Sequence, residues 1–140
     1  MSRRSWLLAA VCAVLVLLPT GCGSGYDNDD VRNYIADHYT RATRLDEKNN
    51  GMAYTAGKRV SAVADEITGT VHPLDRRTSG KRTFLQYRHD IIAITPHAGG
   101  AKILVDDYRT GHRRHQHYIG IFGWPSGNTG FRGGGPGDGK

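Results

Sequence analysis

Cysteine is almost missing from this sequence: of 140 residues only Cys12 and Cys22 carry a thiol. Both lie near the amino terminus, so the remainder has no disulfide staple, no thiolate metal ligand and no thiol nucleophile. Long apolar runs are equally scarce. The longest, Trp6 to Leu18, has thirteen residues, whereas a helix needs about 20 to cross a bilayer. There is no serine in a nucleophile elbow and no His-Glu-x-x-His pair. These absences leave no motif for the common hydrolases, and neither an enzyme nor a bound cofactor is expected.

What is present at the start has the order of an export signal. Arg3 and Arg4 precede the apolar run, and Pro19-Thr20-Gly21-Cys22 follows it, giving charge, apolar core and small residues in sequence. The small residue before Cys22 resembles the lipobox of bacterial lipoproteins, with Pro19 in the place usually held by leucine. That resemblance implies that residues 1–21 are removed and that Cys22 is acylated, holding the protein on the outer face of the cell membrane. Two or more acyl chains, at about 0.8 kcal/mol per buried methylene, make such an anchor effectively permanent. Cleavage without acylation would instead give a secreted protein. Ser2 to Leu7 also resembles a twin-arginine signal, and both export routes stay open.

Residues 22–27, with Gly23-Ser24-Gly25, read as a flexible tether. Nine of the twenty-one residues from Gly120 to Lys140 are glycine, too many for burial to offset ordering entropy, so 120–140 is expected to be an irregular tail. One domain, 28–119, lies between them. The formal net charge is +6, and loss of Arg3 and Arg4 lowers it by two.

Within that domain Asp29 or Asp30 can cap a helix whose apolar face is Val31, Tyr34, Ile35, His38, Tyr39, Ala42 and Leu45. Ala53 to Ala56 reads as a short strand. Val60, Val63, Ala64 and Ile67 mark a second helix ending before Gly69. Phe84 to Arg88, Ile91 to Thr95 and Lys102 to Asp106 are apolar strands joined by turns too short for a parallel crossover. The expected fold is a small two-layer α+β domain, with two N-terminal helices on one face of a three- to four-stranded antiparallel meander.

Three groups could carry chemistry. In His112-Arg113-Arg114-His115-Gln116-His117 a strand would align His115 with His117 and a helix His112 with His115. Either pair needs His97, Asp106 or Asp107 to complete a metal site, and the flanking arginines oppose a dication. Asp106 and Asp107 are adjacent, so on a strand they point to opposite faces and cannot act as facing carboxylates; capping or pairing, with Arg109 for example, suits them better. Arg76, Arg77, Lys81 and Arg82 form a basic loop able to touch anionic headgroups or a wall polymer. Nucleic acid is the wrong partner for an exported protein whose aromatics do not interleave with its charges.

Tyr34-Ile-Ala-Asp-His-Tyr-Thr, Tyr87-Arg88-His89-Asp90, Leu104-Val-Asp-Asp-Tyr-Arg-Thr-Gly and Phe131-Arg-Gly-Gly-Gly-Pro-Gly resemble the bacterial family called domain of unknown function 4247. The resemblance spans nearly all of the chain after Cys22 and implies an exported, lipoprotein-like protein. It brings no activity and no catalytic residues. The expectation is therefore a non-enzymatic, membrane-anchored module that binds a membrane-protein partner or an anionic envelope surface. The alternative is a metal-binding lipoprotein that uses the histidine cluster.

Overall fold

Helix α1 (Asp29–His38) buries Val31 and Ile35 completely, one turn apart on a single face. It stops well short of Leu45. Thr40–Arg41 forms a two-residue strand, β1, paired with Thr55 and Tyr54. Arg41 Nη1 and Nη2 donate to Asp46 Oδ1 and Oδ2 at 2.6 and 2.7 Å, and Asp46 Oδ1 also accepts from Ala53 N at 2.9 Å. Strand pairing and this clasp override a helical pattern that Ala42 and Leu45 would have continued. The computed structural model describes residues 29–127. The leader 1–21, the Cys22 segment 22–27 and the last part of the tail lie outside the described residues.

Strand β2 (Met52–Ala56) leads through Gly57-Lys58-Arg59 into α2 (Val60–Thr70), which buries Val63, Ala64 and Ile67. A hairpin follows, β3 (Asp75–Ser79) and β4 (Arg82–Gln86), then a second, β5 (Asp90–His97) and β6 (Gly100–Asp107). All neighbours are antiparallel, and the six-stranded order is β1-β2-β6-β5-β4-β3. Two further helices close the chain, α3 (Tyr108–Arg114) and α4 (Gln116–Phe122).

The period-two alternation of strand side chains divides the interior into two cores. Leu85, Ile92, Ile94, Ile103 and Val105 face α1 and α2. Phe84, Ile91, Ala93 and Leu104 face the other way, onto Tyr108, Ile119 and Trp124. The domain thus has three layers where two were expected, six strands where three or four were expected, and four helices among the described residues.

The added layer comes from residues read as a histidine cluster and the start of a tail. Asp107 caps α3 by accepting from Thr110 N at 3.0 Å. Gly111 lets the helix backbone rest on the sheet, since a Cβ there would sit 2.8 Å from Ile91 Cβ and 3.0 Å from Asp106 Cβ. Residues 120–124 are likewise no irregular tail: α4 runs to Phe122, and Trp124 is buried with its Nε1 donating to Asp75 Oδ2 at 2.9 Å.

The sheet has two distinct ends. One gathers the Gly80-Lys81 and Ala98-Gly99 turns, the end of β2 and the amino terminus of α2. The other carries Asp90, Asp107 and the beginning of α1, tied there by Arg32 Nε to Asp90 Oδ1 at 3.0 Å.

Candidate functional site

The turn-rich end holds a cleft of about 390 Å³ between the start of α2 and the two hairpins. Arg59, Arg76 and Lys81 line it, with the hydroxyl residues Ser61, Thr78 and Thr83. Arg59 stands at the N-cap of α2, where no side chain caps the helix and no acidic residue occupies the first turn. An uncapped amino terminus presents unpaired N–H groups and the positive end of the helix dipole, which favour an anion. Arg59 and Lys81 add to the same field, whereas the charge of Arg76 is offset by Asp65. Arg76 is held in place by Asp65 Oδ1 at 2.7 Å and by Thr68 Oγ1 at 3.4 Å.

The basic group read as one loop is not a loop. Arg76 and Arg77 lie on β3, Lys81 in the turn and Arg82 on β4. Alternation along β3 sends Arg76 toward α2 and Arg77 to the opposite face, where it binds Asp75 Oδ2 at 2.8 Å. Arg82 also lies on that far side, donating to the Tyr118 hydroxyl at 2.7 Å with its guanidinium 5.2 Å from the ring centroid. Arg76 and Lys81 therefore share the cleft, while Arg77 and Arg82 do not. Arg59, which sequence reasoning passed over, completes it. The signal was a basic pair, Lys58-Arg59, where a helix start ordinarily takes Ser, Thr, Asp or Asn.

The family model for the domain of unknown function DUF4247 matches residues 15–136. The chain belongs to this family. No curated protein and no solved structure matches it. The DUF4247 match encloses both cores and every residue of the cleft.

The histidines of this DUF4247 domain do not converge. His112 Nε2 lies 3.0 Å from the Trp124 carbonyl, His117 is exposed on α4, and His97 sits at the opposite end of the sheet. His115 turns inward, its Nε2 3.5 Å from Asp106 Oδ2. No group of three His, Cys, Asp or Glu residues able to hold a metal ion occurs among the described residues.

Asp106 is fully buried and takes its charge balance from Arg114. Arg114 Nε reaches both carboxylate oxygens, at 3.2 and 3.1 Å, and Nη2 reaches Oδ1 at 3.1 Å and the Lys48 carbonyl. Glu47 joins from outside, 3.6 Å from Arg114 Nη1. The expected pairing partner, Arg109, is replaced by Arg114, one and a half turns further along. The arrangement ties β6 and the loop before β2 to α3.

Proposed function

We propose that this DUF4247 protein is an exported, lipid-anchored and non-enzymatic binding module, held at the outer face of the cell membrane through Cys22, whose cleft takes anionic groups of the envelope. The observation that carries this reading is the convergence of Arg59, Arg76 and Lys81 on the uncapped amino end of α2.

The start of α1 and the cleft lie at opposite ends of the sheet. The chain from Cys22 reaches the domain where α1 begins, near Asp90, and β5 runs from Asp90 to His97 at the other end, roughly 25 Å away at 3.4 Å per residue. The seven residues from Cys22 to Asp29 add a reach of up to about 24 Å. A tether of that length leaves the cleft, at the far end of the domain, within reach of an acidic envelope polymer.

Arg59→Ala with Lys81→Ala tests the reading. Each charge near an anionic surface contributes about 1 kcal/mol, so the double variant should bind acidic wall polymer roughly 30-fold more weakly at low salt, with the difference shrinking as salt is added. Unchanged binding would overturn the cleft as the site. Cys22→Ala should move the protein from the membrane fraction to the soluble envelope fraction; retention in the membrane would overturn the lipid anchor.

A further inference from the structure

A second hollow, about 470 Å³, opens on the other side of the same Gly57-Lys58-Arg59 turn. Its chemistry differs from that of the cleft. Tyr34 and His38 stack with ring centroids 4.1 Å apart, and Tyr39 meets Tyr34 edge-on at 6.4 Å. Lys58 and Glu66 face each other across an ion pair, and the Tyr39 hydroxyl donates to Glu66 Oε2 at 3.1 Å. The hollow therefore has balanced charge, a flat aromatic wall and both donors and acceptors.

From these two neighbouring sites we infer that the ligand is an acidic saccharide, a sugar polymer bearing phosphate or carboxylate, with its anionic group in the cleft and the adjoining sugar ring in the hollow. A ring with many hydroxyls uses every feature of the hollow: carbon–hydrogen edges lie against the exposed face of His38, and hydroxyls exchange bonds with Glu66 and Lys58. A bare anion gains nothing there, because Lys58 is already neutralised by Glu66. The sites are joined covalently through consecutive residues, Lys58 lining the hollow and Arg59 the cleft. A chain of sugars crossing the turn thus meets cation and aromatic wall in succession. This inference rests on the proposed role of the cleft and adds the chemical class of its ligand.

The test is titration calorimetry of the full chain with three probes: oligogalacturonate, a neutral dextran oligosaccharide, and polyglutamate matched in charge to the first. Oligogalacturonate should bind tightest. His38→Ala should weaken it by about tenfold through loss of the stacking face and leave polyglutamate unaffected, whereas Glu66→Gln, which releases Lys58 from its ion pair, should tighten polyglutamate and narrow the preference for oligogalacturonate. Arg59→Ala with Lys81→Ala should weaken both acidic probes. If polyglutamate binds as tightly as oligogalacturonate and the hollow variants change nothing, the saccharide inference falls while the anionic cleft stands. If the cleft variant changes neither acidic probe, the cleft reading falls with it. Failure of oligogalacturonate to bind at all also overturns the inference.

Discussion

Gly100 is pressed against Ala56: a Cβ built on Gly100 would lie 2.0 Å from the Ala56 carbonyl oxygen. The two residues stand where β6 begins and β2 ends, and Gly100 also lines the cleft. Because the obstacle is backbone, no rotamer change relieves it.

Gly100→Ala should therefore cost at least the ~1–3 kcal/mol typical of overpacking and lower the melting temperature. Gly120→Ala is the control. Gly120 lies within α4 and a Cβ there meets nothing within 4 Å, so alanine should stabilise by about 0.5–1 kcal/mol through helix propensity. Thermal denaturation of both variants checks the pair, and equal melting temperatures would contradict the packing described for β2 and β6.

Removing Arg114 would leave Asp106, which has no exposure to water, with only the His115 ring 3.5 Å away as a basic neighbour. Arg114→Ala should destabilise by about 3–5 kcal/mol, the cost of removing one partner of a buried pair. Arg114→Lys should recover little, because an ammonium cannot span both carboxylate oxygens and the Lys48 carbonyl. Urea denaturation of both variants reads the difference, and a lysine variant as stable as the native protein would show that fork geometry is unimportant.

Acid should loosen the β1 clasp. The Arg41 guanidinium and the Ala53 N–H hold the Asp46 carboxyl down at about 2, against an ordinary value of 3.8. The folded state thus binds this proton more weakly than the unfolded state. Its contribution is present above pH 4 and fades as pH falls through the folded value. The carboxylate is exposed, so the effect is small. Asp46→Asn should flatten the stability profile between pH 4 and pH 2, and a carbon-detected NMR titration of Asp46 should show its midpoint well below that of an ordinary aspartate.

Much of the fold can be read directly from the chain. Val60, Val63, Ala64 and Ile67 announce α2 because their spacing matches the face they bury, and the aliphatic runs of β5 and β6 are strands buried on both sides. Strand β3 is hidden because Asp75-Arg-Arg-Thr-Ser contains no aliphatic residue; its pairing with β4, rather than burial, makes it a strand, and its charges guard a sheet edge. With β3 unseen, the alternation that separates Arg76 from Arg77 was also unseen. Helices α3 and α4 are hidden in the same way, since charged, histidine and glycine residues dilute the apolar positions that do the packing, Tyr108, Tyr118, Ile119 and Phe122. Arg59 was legible as a residue of the wrong sign at a helix start, a local rule broken where a site lies.

The division of the interior into two cores gives the molecule an optical asymmetry. The sequence contains two tryptophans, Trp6 and Trp124, so in a chain prepared without residues 1–21 the indole emission originates only in the α3–α4 layer. The α1–α2 core contributes tyrosines alone. Excitation at the red edge of absorption therefore follows the carboxy-terminal layer by itself, while far-ultraviolet dichroism follows the whole chain. Comparing the two during unfolding reveals whether the layers on either side of the sheet separate together or one at a time.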